Sequence, residues 1–328
     1  MKTRVAIIAG GDSGEYEVSI NSATSVSEQI DKEVYEVYTI YMQKTDWFYR
    51  DEKAEKVQVD KNDFSITLHG KKIQFEVAFI LIHGTPGEDG KLQGYFELMG
   101  IPYTTSDLFT STLTFKKSFT KHVARSLDVN ISKTIYLESK DTKTPKELVK
   151  AVGLPCFVKP NKGGSSVGIT KVKTEGELPA AINRAFEEDD EVLVEEYLEG
   201  SEIDCGMYMS QGEIVPLPLT EIVPKTEFFD YEAKYLGASD EITPARIDQE
   251  KTRRCQELSV FLYREFNCKG LVRFDYILKD NIFYFLEVNT IPGLSGPSIV
   301  PQQIRYMGKT ETEVYGELIE DALRRKKQ

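Results

Sequence analysis

Residues 270–293, GLVRFDYILKDNIFYFLEVNTIPG, read as two β-strands joined by a tight turn. Aromatic and aliphatic residues alternate along both halves, which is typical of strands in an antiparallel sheet. Arg273 and Asp275 are two positions apart and therefore share one face of the first strand. Glu287 and Asn289 share one face of the second strand in the same way. The stretch thus predicts a hairpin that carries four polar side chains in an otherwise apolar sheet.

The length of the turn decides whether these four side chains converge. A two-residue turn pairs Asp275 with Leu286 and places Glu287 on the opposite face. A three-residue turn over 279–281 pairs Arg273 with Glu287 and puts all four on one face. We expect the odd-numbered turn, or a β-bulge that has the same effect.

Two carboxylates, an amide and a guanidinium are costly to bury together unless they pair or bind a cation. Asp, Glu and Asn offer only hard oxygen ligands, which suit Mg²⁺ better than zinc or copper. Protein-bound Mg²⁺ usually keeps positions open for substrate phosphates. We interpret the hairpin as a magnesium-nucleotide site; the alternative is a solvated sheet face with an incidental ion pair.

Composition narrows the class of protein. The chain has 328 residues, of which 40% are hydrophobic and 29% charged, as in ordinary globular proteins. Its net charge of −12 argues against general nucleic-acid binding, and no apolar stretch reaches transmembrane length. The four cysteines lack CxxC spacing, and three histidines are too few to favour a His-based metal site. We expect a cytoplasmic protein.

Two glycine turns follow apolar strands in the first third of the chain. Residues 4–9 run into the turn 10–14 and a helix that begins near Val18, which is the frame of an anion or nucleotide site. The spacing is not GxGxxG, and Glu15 suits an ammonium group or merely complements the helix N-terminus. Residues 75–82 end at His83, where doubly wound sheets place ligands.

The middle of the chain offers a second phosphate signal. A basic helix over 114–127 carries Lys117 in its first turn. The strand CFVKP leads into the glycine-serine loop 161–168, whose backbone N–H groups could approach phosphates beside Lys159. No Walker A motif is present, and a flexible hairpin loop is the alternative. The strand 192–198 and the residues that follow it could hold an adenine and a ribose.

The last third holds two strands up to Leu219, a loop over 224–245 and a helix over 248–267 before the hairpin. The loop exceeds the usual connection length, which indicates a functional or mobile segment. We divide the chain into three units, at 1–108, 109–203 and 204–328.

The successive motifs resemble those of D-alanine–D-alanine ligases in the ATP-grasp superfamily. They are GGDSGEYEVS, HGTPGEDG, FVKPNKGGSSVG, EEYLEGSE, DYEAKYL, LVRFDY and LEVNTIPG, in the order of that family and along almost the whole chain. The resemblance implies an α/β fold with three subdomains. An N-terminal doubly wound parallel sheet would be followed by two antiparallel-sheet subdomains that clasp ATP.

The resemblance also implies roles for individual residues. Two Mg²⁺, or Mn²⁺ as a substitute, would be bound by Asp275, Glu287 and Asn289. ATP would be bound by Lys117, Lys159, Ser165, Ser166, Glu195, Glu196, Leu198, Glu202 and Lys234, although some relatives carry lysine where this chain has Glu196. The two D-alanines would be bound by Glu15, His83, Lys234, Arg273, Gly293, Ser298 and Ile299. Ser165 and Tyr235 would join Glu15 in a hydrogen-bonded network, and Arg273 and the Gly293 N–H would stabilise the oxyanion.

The implied reaction joins two D-alanines at the expense of ATP, through an acyl phosphate, for peptidoglycan synthesis. A D-alanine–D-lactate ligase or another ATP-grasp carboxylate–amine ligase is the alternative, and Tyr235 favours D-alanine as the second substrate. A non-catalytic nucleotide-binding protein is a third hypothesis, which predicts the loss of a magnesium ligand or of Arg273. Relatives are commonly homodimers, and we expect a homodimer formed through the first unit.

Overall fold

The structure is a computed structural model that describes residues 2–138, 143–164, 167–224 and 239–326. The first elements are β1 (Thr3–Gly10), α1 (Tyr16–Gln29), β2 (Tyr35–Gln43), β3 (Asp46–Arg50), β4 (Lys56–Gln58), β5 (Ser65–Leu68), β6 (Lys71–Gln74), β7 (Val77–Ile80) and α2 (Lys91–Met99). The main sheet has the order β4-β3-β2-β1-β7, in which β2, β1 and β7 are parallel. The separate β5-β6 hairpin is antiparallel.

Successive residues of β1 point to opposite faces of the sheet, and each face packs in its own apolar core. Val5 and Ile7 pack in a core with α1 and the C-terminal helix, whereas Ala6 and Ile8 pack in a second core with Phe96 of α2. The parallel sheet is therefore covered on both faces. This confirms the doubly wound N-terminal fold.

The second group of elements comprises α3 (Leu108–Phe115), α4 (Lys117–Ser126), β8 (Thr134–Leu137), α5 (Pro145–Val152), β9 (Cys156–Pro160), β10 (Thr170–Val172), a 3-10 turn (Glu175–Glu177), α6 (Leu178–Glu188) and β11 (Val192–Glu196). The strands form an antiparallel sheet of order β10-β9-β11-β8. Leu148 of α5 and Leu178 of α6 pack on it beside Val158.

The single helix predicted over 114–127 is wrong, because the chain breaks at Lys116 into α3 and α4. Lys116 has φ −90° and ψ 100°, outside the helical region. The backbone N–H of Lys117 donates to the Asn161 carbonyl at 3.1 Å, and that of Ser118 donates to Asn161 Oδ1 at 2.8 Å. Asn161 thus satisfies the first N–H groups of α4, which places Lys117 beside the glycine-serine loop.

The last elements are β12 (Ser201–Ser210), β13 (Glu213–Pro216), β14 (Thr220–Pro224), β15 (Ser239–Ile242), α7 (Gln249–Glu265), β16 (Leu271–Lys279), β17 (Ile282–Asn289), α8 (Ile299–Tyr306) and α9 (Glu311–Arg325). The antiparallel sheet has the order β15-β14-β12-β16-β17, with β13 on β12. Cys255 and Leu262 of α7 cover one face by packing with Phe274 and Tyr276. The polar side chains of β16 and β17 occupy the opposite face.

The four polar side chains of the hairpin converge because one strand contains a bulge, and not because the turn has an odd number of residues. Lys279 pairs with Ile282 across a two-residue turn, and the register shifts between Asp275 and Tyr276. Leu286 is the extra residue, so Asp275 pairs with Glu287. The bulge alternative is confirmed.

The bulge changes which polar residues stand opposite one another. Arg273 pairs with Asn289, so the predicted pairing of Arg273 with Glu287 is wrong. Each cross-strand pair still lies on one face, and the four side chains therefore converge as expected. In the part of the chain that the structure describes, no helix combines the length and apolarity needed to cross a bilayer.

Gly270 sets the position of β16 and provides a test of the fold. Its φ is +62°, and an added Cβ would lie 1.8 Å from the Thr104 carbonyl oxygen. Gly100 has a nearly equal φ of +64° but no atom of the described residues within 4 Å of the same position. We expect Gly100→Ala to lower the free energy of unfolding by about 1 kcal/mol. Gly270→Ala should cost about 3 kcal/mol or more, because backbone must also move.

Urea unfolding of both variants measures the difference. Similar losses for the two variants would show that β16 does not depend on the close approach to Thr104.

Candidate active site

A cavity of about 620 Å³ lies where the three main sheets meet. Its walls include nine of the residues singled out from the sequence: Glu15, His83, Lys117, Arg273, Glu287, Asn289, Gly293, Ser298 and Ile299. They come from the start of α1, the end of the parallel sheet, α4, the β16-β17 hairpin and the segment that leads into α8. The structure therefore brings together side chains that lie far apart in the chain.

The guanidinium of Arg273 lines the cavity and is held by two carboxylates. Its Nε and Nη2 donate to the two carboxylate oxygens of Asp275, each at 2.7 Å. Its Nε also lies 3.2 Å from Oδ2 of Asp204, a fully buried residue that faces Asp275 across β12 and β16. Burial alone would lower the pKa of Arg273, but the two aspartates raise it well above its ordinary value. Arg273 is therefore held as a fixed positive charge.

Sequence reasoning missed Asp204. The residue interrupts the apolar run of β12, in SEIDCGMYMS, at a position that the hydrophobic residues around it mark as buried. A buried acid in such a strand needs a cationic partner. That requirement was the available signal, but the pairing of β12 with β16 was needed to identify Arg273 as the partner.

The residues expected to bind magnesium lie side by side. Asn289 Nδ2 donates to Asp275 Oδ2 at 2.8 Å, so Asp275 accepts three hydrogen bonds in all. A carboxylate has about four acceptor sites, so one remains on Asp275 Oδ1, but Asp275 is buried and does not border the cavity as Glu287 and Asn289 do. Glu287 lies 3.6 Å from Lys117 Nζ, at the loose end of the range for an ion pair. This oxygen-only set fits Mg²⁺ if substrate oxygens complete the coordination.

Glu15 lies at one end of the cavity, at the N-cap of α1. The glycine-serine loop crosses directly over it, because a Cβ on Gly164 would lie 2.8 Å from Glu15 Oε2. His83 is 6% exposed, and its Nε2 has no hydrogen-bond partner among the described residues. Burial lowers the pKa of His83, while the charge of Glu15 opposes that effect. This corner combines a carboxylate with a neutral imidazole.

Glu88 is a second carboxyl group in this corner that sequence reasoning did not select. It accepts from the Gly84 N–H at 2.8 Å and from the Ile291 N–H at 3.3 Å, and so joins the turn after β7 to the segment after β17. Burial, together with repulsion from Glu15, raises the pKa of Glu88 to about 8. Its place in HGTPGEDG, a loop already marked as a ligand loop, was the signal that could have found it.

The start of α8 forms another wall of the cavity. Ser298 is the N-cap residue, and its Oγ lies 2.7 Å from Ser295 Oγ. A Cβ on Gly293 would lie 3.1 Å from Ser298 Oγ, so only a small residue fits there easily. Gln302 of α8 donates to Glu241 Oε2 at 2.6 Å. A helix N-terminus with these donors suits a carboxylate ligand.

Lys117 lines the side of the cavity next to the glycine-serine loop. Its Nζ donates to the Gly163 carbonyl at 2.6 Å and lies near Glu287. Lys159, from β9 on the same side, does not line the cavity and instead pairs with Glu195 Oε2 at 2.9 Å. Lys121, which the sequence analysis did not select, pairs with Glu195 Oε1 at 2.9 Å. The carboxylate of Glu195 is thus held by two lysines.

The other residues expected around the nucleotide do not border this cavity. Glu196 accepts from the Lys133 backbone N–H at 3.2 Å. Leu198 is buried, and Glu202 lies in the first residues of β12. Ser165, Ser166, Lys234 and Tyr235 lie outside the described residues.

The cavity can hold two small zwitterions beside a polyphosphate. A carboxylate at the Glu15 end suits an ammonium group, and the start of α8 suits a carboxylate. Between them, the fixed charge of Arg273 can stabilise an anion, and Lys117 supplies a positive charge for phosphates.

Comparison with known proteins agrees with this chemistry. Family profiles described as D-ala D-ala ligase N-terminus and C-terminus match residues 4–106 and 123–320. A D-alanine–D-alanine ligase of Flavobacterium johnsoniae is 46% identical over 97% of this chain and 99% of its own length. That of Christiangramia forsetii is 44% identical over 99% of this chain and 100% of its own length.

Solved structures share the architecture. D-alanyl-alanine synthetase A of Vibrio cholerae superposes with a TM-score of 0.87 at 27% identity, over 98% of this chain and 99% of that one. The VanG D-Ala:D-Ser ligase of Enterococcus faecalis gives 0.85 at 32% identity, with the same coverage. A D-alanine–D-alanine ligase of Bacillus anthracis complexed with ATP gives 0.79 at 28% identity, over 99% and 98%. These matches confirm the ATP-grasp architecture.

Glu88 predicts a particular pH dependence of stability. Its pKa in the folded protein is about 8, against an ordinary value of 4.5, so the folded state favours the protonated form. The stability that Glu88 contributes is complete below pH 4.5 and is lost as the pH rises towards about 8. Glu88→Gln cannot ionise and should not lose this stability. As the pH rises from 5 to 8, its free energy of unfolding should therefore increase by more than about 2 kcal/mol relative to that of the parent.

Chemical unfolding at several pH values measures this slope. Glu147→Gln is the control, because Glu147 also accepts from a backbone N–H, that of Thr144, and this bond lowers its pKa. The free energy of unfolding of the Glu147 variant should change with pH in the same way as that of the parent over this range. If the free energy of unfolding of the Glu88 variant also changed with pH as that of the parent does, the prediction would be contradicted.

Proposed function

The chain belongs to the D-alanine–D-alanine ligase family, and we propose that it joins two D-alanines into D-alanyl-D-alanine at the expense of ATP. The products are ADP, phosphate and a dipeptide used in peptidoglycan synthesis. The observation that carries the proposal is the clamped guanidinium of Arg273, which lines the same cavity as Glu15 and the start of α8.

The donor D-alanine binds at the Glu15 end. The carboxylate of Glu15 receives its ammonium group, while the buried, neutral His83 lies next to it. The donor carboxylate then points to the middle of the cavity, between Arg273 and Lys117. Arg273 and Lys117 offset the negative charge that collects where this carboxylate meets the nucleotide.

Activation of the donor needs ATP because a carboxylate has no useful leaving group. A carboxylate oxygen attacks the γ-phosphorus, the bond to the β-phosphate oxygen breaks, and an acyl phosphate and ADP result. Lys117 stabilises the transferring phosphoryl group. Asp275, Glu287 and Asn289 would hold Mg²⁺, or Mn²⁺ in its place, which when bound neutralises phosphate charge.

The acceptor D-alanine binds at the α8 end, with its carboxylate at Ser298 and its side chain near Ile299. Its deprotonated amine attacks the acyl carbon, and the carbonyl oxygen becomes an oxyanion. Arg273 and the Gly293 N–H stabilise that oxyanion. The carbon–oxygen bond to phosphate then breaks, and phosphate leaves as the peptide bond forms.

Most of the residues that we assign to ATP binding lie outside the cavity. Lys159, Ser165 and Ser166 bind phosphate, and Glu195, Glu196, Leu198 and Glu202 hold the adenosine. Lys234 contacts both ATP and the acceptor, and Tyr235 and Ser165 close the network over Glu15. These assignments rest on the family resemblance, as do the three units at 1–108, 109–203 and 204–328.

The resemblance also supports a cytoplasmic location and a homodimer formed through the first unit. Both the ATP and the amino-acid substrates are small molecules of the cytoplasm. Neither nucleic acid nor a membrane is required by the reaction.

ADP release tests the reaction directly. The protein is incubated with Mg²⁺ and ATP, and with D-alanine, L-alanine, D-alanine plus D-lactate, or D-alanine plus D-serine. We expect ADP release with D-alanine alone, and a D-alanyl-D-alanine mass among the products. L-Alanine should give no release, and EDTA should abolish it. ADP release that requires D-lactate or D-serine would show that this compound, and not a second D-alanine, is the acceptor. No ADP release with any of the substrates would overturn the proposal.

Replacement of Arg273 tests the oxyanion role. We expect Arg273→Met to lower kcat by about a hundredfold or more, because a preorganised donor to an oxyanion is worth about 3–4 kcal/mol. Arg246→Met is the matched control, since Arg246 also binds a carboxylate, that of Glu221, through two nitrogens at 2.8 and 3.1 Å. Arg246 does not border the cavity, so its variant should keep the parental kcat. Equal effects on kcat would contradict the assignment.

A further inference from the structure

Lys121 is a buried lysine that the proposed reaction does not use. Its side chain is 3% exposed and extends from α4 into a polar cluster between α4 and β11. Lysine is rarely buried to this degree unless its charge is paired. Lys121 donates to Ser132 Oγ at 2.8 Å and pairs with Glu195 Oε1 at 2.9 Å. Lys121 does not border the cavity.

Lys121 and Lys117 lie one helical turn apart on the same face of α4. Their ammonium groups have different surroundings, because Lys117 lines the cavity whereas Lys121 is enclosed. Lys159 reaches the same carboxylate from β9, with its Nζ 2.9 Å from Glu195 Oε2. Glu195 therefore lies between two lysines, one enclosed and one at the side of the glycine-serine loop.

The charges of this cluster do not cancel. Two lysines and one glutamate leave one net positive charge. Without Lys121, Glu195 and Lys159 would form a closed neutral pair, and Lys159 would lose much of its attraction for phosphate. With Lys121 present, the Glu195 carboxylate is shared, and a positive charge remains available at Lys159.

We propose that Lys121 is a positioning residue for the nucleotide: it holds Glu195, and through Glu195 it sets the position and the effective charge of the phosphate-binding Lys159. This inference rests on the proposed function, because it assumes that Lys159 contacts the phosphates of ATP. Burial lowers the pKa of Lys121 to about 8, so this lysine keeps most of its charge near pH 7. Burial alone would raise the pKa of Glu195, but Lys121 and Lys159 lower it to about 2, so the carboxylate stays charged.

Direct binding of Mg²⁺-ADP, measured by calorimetry, tests the inference together with steady-state kinetics. We expect Lys121→Met to weaken ADP binding and to raise the KM for ATP by about tenfold, the size of effect expected for one charge-assisted hydrogen bond. The KM for D-alanine should stay within about twofold of the parental value. An unchanged ADP affinity in a folded Lys121→Met protein would overturn the inference.

Lys309→Met is the control for loss of a half-buried lysine that has the same kinds of partner. Lys309 pairs with Glu317 at 2.6 Å and donates to the Tyr208 hydroxyl at 3.0 Å, so it also binds one glutamate and one hydroxyl. It lies in the last part of the chain and does not border the cavity. Its replacement should lower thermal stability while ADP affinity stays the same. A similar loss of ADP affinity in both variants would indicate general destabilisation and would overturn the inference.

A double substitution tests whether Lys121 acts through Glu195. Lys121→Met should weaken ADP binding only while the Glu195 carboxylate is present, so adding Lys121→Met to Glu195→Gln should change binding little further. Additive effects would show that Lys121 acts on the nucleotide independently, which overturns the inference. Lys121→Arg, which keeps the charge, should restore most of the affinity.

Two further measurements cover the remaining outcomes. If Lys121→Met does not fold, Ser132→Ala removes one anchor of Lys121 and should weaken ADP binding by about threefold; no change would overturn the inference. If the parent protein itself fails to bind Mg²⁺-ADP, the proposed function fails, and the inference fails with it. Binding by the parent with no change in any Lys121 variant overturns the inference alone.

Discussion

A buried guanidinium is the constraint on which the rest of the site depends. Arg273 lies within a sheet, where an uncompensated charge would cost several kcal/mol, and it is held by Asp275 from its own strand and Asp204 from the neighbouring one. The pairing of β12 with β16 is thus tied to the chemistry. One polar face of that sheet becomes the floor of the cavity, while the other packs on α7.

The remaining walls are set by backbone contacts between distant segments. Asn161 accepts the first N–H groups of α4 and so brings Lys117 to the glycine-serine loop. Glu88 accepts N–H groups from the turn after β7 and from the segment after β17. These contacts join the parallel sheet and both antiparallel sheets around one space. The substrates can therefore meet inside the protein, where water that would hydrolyse an acyl phosphate is more easily excluded.

The cations that line the cavity or lie beside it are held by different partners. Arg273 is fixed by two aspartates, Lys117 is held by a carbonyl and a distant carboxylate, and Lys159 shares Glu195 with Lys121. Because Glu195 is shared by two lysines, its one negative charge does not fully neutralise either of them. This arrangement explains how a chain with a net charge of −12 can offer a local positive site to a polyphosphate.

Strand periodicity, glycine turns and polar residues in an apolar pattern are local signals, and they predicted the α/β class and the hairpin, while the family resemblance added residues such as Ser298 that line the cavity. The sequence also indicated that Arg273, Asp275, Glu287 and Asn289 share a face. Whether an odd-numbered turn or a bulge aligns them was open in the sequence, and the strand pairing shows a bulge at Leu286. The break at Lys116 and the partners Asp204, Glu88 and Lys121 likewise depend on contacts between segments far apart in the chain. No local pattern specifies which distant group will satisfy a buried charge or an open helix end.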